Sequence, residues 1–367
     1  MIDILRDLIA IDSVNPSLVP GGAGESEIAG YIAKRLRGMR IDAAIEEAAP
    51  GRPNVVAMIE GQKPGPSLML CGHSDTVGVE GMSAPFDPVE RDGRMLGRGS
   101  QDMKGGVAAI LGAAQAIAQS GLRAGSVIVA IVADEEYASI GAEALVKEWT
   151  ADAAVIAEPT DLAVGAGHKG FEWVEITTEG VAAHGSRHED GVDAIVHMGR
   201  VLARLERLER SFATAAHPLL GRPSLHASLI SGGRELSTYP DRCTLHLERR
   251  TIEGEAPDVA LRETERLLDE LRAEDPRFRA SARSTFTRAP YVTPRDHPLP
   301  SLLPGERQAM SFWTDAAILG AAGIPTVVFG PGGAGLHGID EYVRVDEVVA
   351  CRDALVALTR TFCEGGV

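Results

Sequence analysis

The residues best placed to do chemistry are histidines and carboxylates that follow short apolar runs. Pro66-Ser67-Leu68-Met69-Leu70-Cys71 stops at Gly72 and opens into His73-Ser74-Asp75-Thr76-Val77. A short apolar run bounded by Gly reads as a buried strand, and side chains two apart on extended backbone share a face. His73 and Asp75 can then reach one cleft as a metal-ligating imidazole and the acid that orients it. Four further places put an acid or His just beyond a strand or in a Gly-rich loop. They are Asp102 in Gly97-Arg98-Gly99-Ser100-Gln101-Asp102-Met103-Lys104-Gly105-Gly106, the pair Glu135-Glu136, Glu158 in Glu158-Pro159-Thr160, and His337 in Gly335-Leu336-His337-Gly338. Each alone reads as readily as a turn or helix-cap residue. Together, at one rim of a parallel sheet, they describe a metal site.

Two imidazoles and several carboxylates, with no thiolate among them, suit Zn²⁺, and Co²⁺ or Mn²⁺ can take the same shell. The donors suffice for two divalent ions per chain that share one carboxylate. Such a pair acidifies a bridging water and polarises a carbonyl, which brings hydrolysis within reach at neutral pH. A further carboxylate must take and return a proton. Neighbouring side chains point different ways, so Glu135 and Glu136 can divide the work, one at a metal and one at the water.

These groups need strands that end side by side. Helical spacing of apolar residues occurs over 3–12 and 24–39, where Ile28, Ile32, Leu36 and Met39 share a face. Strands are expected near 42–48, 54–60 and 66–72, followed by a loop to Gly99. A helix over 104–119 has Val107, Ile110, Leu111, Ala114 and Ile117 inward, and strands cover Ser126 to Ala133 and Ala153 to Ala157. Strands alternating with helices imply an α/β domain with a mostly parallel sheet. After about residue 167 the order becomes β-α-β-β-α-β: strands at 171–178, 224–231, 243–250 and 278–287, with helices at 191–210 and 257–273. That order fits an inserted α+β, ferredoxin-like domain. The Glu and Arg residues of the second helix suit a solvated face. The α/β pattern then returns with a helix near Thr314, a strand from Pro325 to Phe329, a Gly-rich loop and a last helix from about Asp346. The expected domains are 1–167 and 285–367, forming one catalytic unit, with 168–284 inserted.

The chain of 367 residues, 44% apolar and 24% charged, can bury a sizeable core in each domain. A net charge of −16 argues against nucleic-acid partners and against anionic membranes. Cys71, Cys243, Cys351 and Cys363 form no Cys-x-x-Cys pair and read as reduced structural thiols, Cys71 as a buried small residue and not a ligand. Met1-Ile2-Asp3-Ile4-Leu5-Arg6 does not begin a signal peptide, and no run reaches the length of a membrane span. A cytoplasmic location is expected.

The motifs GHSDTV, GRGSQDMKGG, ADEE followed by Gly141, AEPT, VAAHGS, GGRELSTYPDRC and GPGGAGLHGIDEYV run through essentially the whole chain. The chain resembles the co-catalytic zinc hydrolases that include acetylornithine deacetylase, succinyl-diaminopimelate desuccinylase, aminoacylase and the glutamate-releasing carboxypeptidases. That resemblance implies a zinc-peptidase-like catalytic domain and makes 168–284 a lid and dimerisation domain. It implies that His73 and Glu158 bind one ion, that His337 and Glu136 bind the other, and that Asp102 bridges them. Glu135 would be the general base and acid, and Asp75 would orient His73. His184 matches a histidine that reaches the partner subunit's active site and stabilises the oxyanion. Arg250, with Arg249 as the alternative, matches a clamp for the substrate carboxylate. Gly330, Gly332 and Gly333 would line the pocket through backbone groups. Many relatives carry Asn where this chain has Ser237, so Ser237 or Tyr239 would make a different contact. The implied activity is removal of an acyl group from an N-acyl amino acid by a homodimer. A carboxypeptidase or dipeptidase acting on short peptides is the alternative, and a non-catalytic binding homologue is the reading outside the enzymes.

Overall fold

Ile4, Leu5, Leu8 and Ile9 form the buried face of helix Ile2–Ala10 (α1), and Ile28, Ile32 and Leu36 do the same for Ser26–Gly38 (α2). Spacings of three and four put such residues on one side. Strands Ala43–Ala49 (β1), Arg52–Glu60 (β2) and Ser67–His73 (β3) follow, then a hairpin of Val89–Arg91 (β4) and Arg94–Leu96 (β5). Next come Gly105–Ser120 (α3), Ser126–Val132 (β6), Ile140–Glu148 (α4), Ala153–Ile156 (β7) and Val164–His168 (β8). The middle of the chain forms Gly170–Glu179 (β9), Ala194–Ser211 (α5), Ser224–Gly232 (β10), Arg242–Thr251 (β11), Val259–Glu274 (α6) and Arg279–Arg288 (β12). Tyr291–Val292 (β13), Arg307–Met310 (β14), Ala316–Ala321 (α7) and Thr326–Val328 (β15) lead to Gly333–Ala334 (β16), Tyr342–Arg344 (β17) and Val345–Glu364 (α8).

This computed structural model describes residues 1–214 and 216–365. It divides into one unit of Met1–Gly167, Thr293–Met310 and Thr314–Val367, and a second of His168–Val292 with Ser311–Trp313. In the first unit the strand order is β1-β2-β6-β3-β7-β15-β8, with β14 also paired to β8. β6, β3, β7 and β15 are parallel, and antiparallel pairings of β2 with β6 and of β8 with β15 flank them. The parallel strands are covered on both faces, which is why β3 and β6 read as unbroken apolar runs. The expected single inner face of α3 is too narrow. The helix is buried all round from Gly105 to Ala114, because it packs against α1 and α8 as well as β3 and β6.

In the second unit the elements β9-α5-β10-β11-α6-β12 make an antiparallel sheet of order β10-β11-β9-β12. Val174, Ile176, Leu245 and Leu247 on one sheet face pack with Met198, Val201 and Leu205 of α5 and Leu267, Leu268 and Leu271 of α6. Each such burial contributes about 1.5–3 kcal/mol, which fixes both helices on one face. β12 runs to Arg288 and so lies wholly within this unit. Among the described residues no helix is long and apolar enough to cross a membrane.

Candidate metal and catalytic centre

Parallel strands end on one rim, and side chains beyond those ends converge. His73 is the last residue of β3, Glu158 lies two past β7, and Glu135 and Glu136 follow the turn after β6. Asp102 stands on the turn Ser100–Lys104 that opens α3, and His337 on the loop between β16 and β17. The fold gathers these groups into two clusters, His73/Asp102/Glu158 and Asp102/Glu136/His337, whose ligand atoms lie within 4.8 Å of one another.

Asp102 belongs to both. Its Oδ1 is 3.2 Å from His73 Nε2 and its Oδ2 is 3.3 Å from His337 Nε2. Glu158 Oε1 stands 3.5 Å from His73 Nε2, and Glu136 Oε2 is 3.2 Å from His337 Nε2. Glu135 Oε2 is 4.0 Å from His73 Nε2. Asp75 turns to the other side of the ring, where its backbone oxygen is 3.0 Å and its Oδ1 3.5 Å from His73 Nδ1. Asp75 also accepts hydrogen bonds from the backbone N–H of Glu135 (3.1 Å) and of Glu136 (3.2 Å). One buried carboxylate therefore orients the imidazole and fixes the backbone of both glutamates.

The electrostatics are those of too many acids in one place. Burial, then the charge of Glu158, pushes Glu135 well above the ordinary carboxylate range. Burial does the same to Glu158, and burial with the charge of Asp102 lifts Glu136 to about 7. Hydrogen bonds to Asp102 and Glu136 raise His337 to about 10. Burial opposes a proton on His73, yet Glu158, Asp102 and Asp75 outweigh it and hold that pKa well above the usual value. Burial would also raise Asp102, but His337 and His73 keep it low. Crowded carboxylates of this kind are relieved by a cation. Glu136 Oε1 is buried without a hydrogen-bond partner, an acceptor directed at nothing in the protein. Imidazole and carboxylate donors, the shared Asp102 and this unpaired oxygen all fit a pair of divalent cations.

Other expected residues stand elsewhere. Gly330 lies against the end of β7, where a Cβ would sit 2.3 Å from the Glu158 carbonyl oxygen. Its N–H donates to Thr160 Oγ1 and its carbonyl accepts from the Leu162 N–H. The Gly332 N–H donates to Glu347 and its carbonyl accepts from the Arg344 N–H. Those backbone groups are committed inside the protein, so Gly330 and Gly332 shape the wall by lacking side chains. Gly333 begins β16 and pairs with Val343.

His184, Ser237, Tyr239 and Arg250 belong to the second unit. His184 is exposed, with Nδ1 2.8 Å from Ser186 Oγ, and Ser237 is exposed beside it, accepting from the Gly185 N–H. The Tyr239 ring covers Gly191. Arg249 is 1% exposed and bound to Glu255 and Glu263. Arg250 bonds Glu248 through Nε, while its buried Nη1 has no hydrogen-bond partner.

Asn15 is not among the expected site residues. Its amide donates to Asp75 Oδ2 (2.8 Å) and to Asp134 Oδ1 (2.9 Å). Arg52 joins the same buried group, donating to Glu25 through Nε and Nη2 and to Asp134 at 2.8 Å. The one available signal was a set of polar residues placed among apolar ones, as in Val14-Asn15-Pro16 and Arg52-Pro53-Asn54-Val55.

An α/β sheet whose strand ends carry two His/carboxylate clusters sharing one Asp defines the class of metal-dependent amide hydrolases. Residues 69–361 match the model of peptidase family M20/M25/M40, and the chain belongs to that family. It is similar to an acetylornithine deacetylase of Myxococcus xanthus, 31% identical over 98% of this chain and 97% of the relative. It is also similar to an N-formyl-4-amino-5-aminomethyl-2-methylpyrimidine deformylase of Bacillus subtilis, 28% identical over 99% of this chain and 94% of the relative. Among solved structures, the aminopeptidase PepT of Bacillus cereus superposes with a TM-score of 0.82 at 17% identity, covering 98% of this chain and 97% of that one. The YXEP protein of Bacillus subtilis, described as a dinuclear metal-binding peptidase, gives 0.75 at 18% identity over 99% of this chain and 97% of that one. At such identities the likeness is one of fold.

Proposed function

We propose that this hydrolase removes the acyl group of an N-acyl amino acid, with His73, Asp102 and Glu158 holding one divalent ion and Asp102, Glu136 and His337 a second. The observation that carries the reading is Asp102, which offers one carboxylate oxygen to each imidazole. Zn²⁺ suits the donors, as do Co²⁺ and Mn²⁺. When bound, such a pair lowers the pKa of water and polarises the amide carbonyl.

Glu135 is the proton carrier. Its carboxylate stands beside the clusters without belonging to either, 4.0 Å from His73 Nε2, which suits a group that takes a proton from water and returns it to the leaving amine. Asp75 keeps His73 and the Glu135 backbone in place for that exchange. Arg250 is the better clamp for the substrate carboxylate because its Nη1 is unpaired, whereas Arg249 is committed to two glutamates. His184, its Nδ1 engaged by Ser186, leaves Nε2 to donate to a developing oxyanion. Ser237 and Tyr239 flank Thr238, which pairs with His184 across the two segments. The second unit supports assembly with another copy: β10 is an edge strand on which Leu229 and Ile230 are 68% and 55% exposed. Four free, buried cysteines suit a reducing compartment such as the cytoplasm.

The relative with 31% identity favours deacylation over peptide cleavage. Zinc-loaded protein assayed on N-acetyl and N-succinyl amino acids, against dipeptides and N-acyl glutamates, tests this. Faster turnover of the dipeptides would replace the deacylase reading with a peptidase one. Fewer than one ion per chain together with no hydrolysis would remove the enzyme reading.

A further inference from the structure

The two clusters stand on different foundations. His73 and Glu158 follow β3 and β7, each paired on both edges, and both residues are buried. His337 lies in a loop at φ +57, with its side chain 54% exposed, and Asp102 sits in a turn at φ −118, ψ 97. The β5–β17 pairing sets Leu96 opposite Tyr342 but stops short of both residues. A buried ion pair continues the connection. Glu341 is 1% exposed, and its Oε1 accepts from the backbone N–H of Gln101 (2.9 Å) and of Asp102 (3.1 Å). Its Oε2 accepts from the Gly99 N–H (2.9 Å) and from Arg98 Nη1 (2.6 Å). Arg98, 2% exposed, donates through Nη2 to the carbonyl of Gly338, next to His337, and through Nε to the carbonyl of Gly78.

We infer that Glu341 and Arg98 are positioning residues: their pairing staples the Asp102 turn to the His337 loop and so sets the spacing that the second ion site, Asp102/Glu136/His337, requires. Neither side chain belongs to either cluster. A carboxylate with two acceptor oxygens can take four N–H donors, and an amide cannot, because its NH₂ would face donors. Glu341→Gln should therefore release the turn and loop from one another. The site built on β3 and β7 has its own support and should persist.

The inference rests on the two-metal reading, and the test separates their failures. Metal-stripped protein is titrated with Zn²⁺ by calorimetry, with elemental analysis of the product. The wild type should take two ions per chain. Glu341→Gln should keep the first and bind the second about 10- to 100-fold more weakly, the usual effect of losing an outer partner of a ligand. Adding Glu158→Gln to that variant should remove the remaining ion, whereas adding Glu136→Gln should not. Should Glu341→Gln fail to fold, Arg98→Lys, which drops the bond to Gly338, should show a smaller loss in the same site. Wild-type affinity for both ions in folded variants, or equal weakening of both, would overturn the staple alone. A wild-type protein that binds no ion would overturn it together with the two-metal reading.

Discussion

Replacing Asn15 with leucine, a side chain of similar size, removes the amide donors together with the Oδ1 that accepts from the Ser17 and Leu18 N–H groups. The amide bridges two buried carboxylates, Asp75 at 2.8 Å and Asp134 at 2.9 Å. Hydrogen bonds to charged groups contribute about 1.5–3 kcal/mol each, so Asn15→Leu should cost roughly 3–6 kcal/mol, twice that value. Asp134 retains Arg52 and Asp75 retains the Glu135 and Glu136 N–H groups, so the fold should survive. A domain's whole stability is about 5–15 kcal/mol, which makes the loss large enough to read in urea unfolding of the metal-free protein by far-UV circular dichroism. Hydrogen exchange locates it: peptides covering Glu135 and Glu136 should lose protection more than those covering α2. Turnover should fall as well, since Asp75, which holds the glutamate backbone, loses its bond from Asn15. A destabilisation below about 1 kcal/mol, against the 3 expected from two charge-assisted bonds, would refute the bridging role.

Glu135→Ala should retain both ions by elemental analysis and lose about 10²–10⁴-fold in kcat, the usual contribution of a positioned proton carrier; near-wild-type turnover would remove Glu135 from the chemistry. Asp102→Ala, which takes an oxygen from each cluster, should bind neither ion at wild-type affinity, a point that calorimetry decides. His168 provides a pH signature away from the clusters. Burial, with Arg250 nearby, lowers its pKa from 6.5 to about 4, so the folded protein keeps it neutral while the unfolded chain takes up a proton. Its contribution is fully present above pH 6.5 and is lost as pH falls towards 4, by about 3 kcal/mol in all. His168→Asn should flatten the fall in unfolding free energy between pH 7 and 4.5, and an unchanged slope would contradict this.

What could be read from the sequence was whatever sits close together along it. β3 and β6 announce themselves because strands covered on both faces must be apolar throughout, and the acids follow directly after them. Several elements, α4, β8 and the β4–β5 hairpin among them, have local patterns that do not mark them. Helix α4 has nine residues with Gly141 in its first turn, β8 is Val-Gly-Ala-Gly-His, and each is held by its neighbours in the fold more than by propensity. The β4–β5 hairpin carries a strong signal in Asp92-Gly93, whose φ values of 51° and 73° are those its turn needs, but charged flanks hid the strands. Asn15 and Glu341 could not be read at all. Their partners lie 60 and 119 residues away in one case and about 240 in the other, so only the folded chain brings them together.

In the proposed two-ion reading, the disposition of the acids leaves Glu135, and not its neighbour, free to move a proton. Asp102, Glu136 and Glu158 offer oxygens to the two clusters, while Asp75 lies behind His73. Bound cations would take up the charge of those three. Glu135 is left over. It lies in the same buried rim, its backbone is tied to Asp75, and its oxygen is 4.0 Å from the nearest imidazole nitrogen, beyond hydrogen-bond range. A carboxylate so placed would lie near the cations without being held by them, as a group that takes and returns a proton must. Glu136, one residue on, is tied to the same Asp75 but points Oε2 at His337, and its charge belongs to that cluster. In that reading the adjacent pair divides between binding and proton transfer, with Asp75 holding the backbone of both.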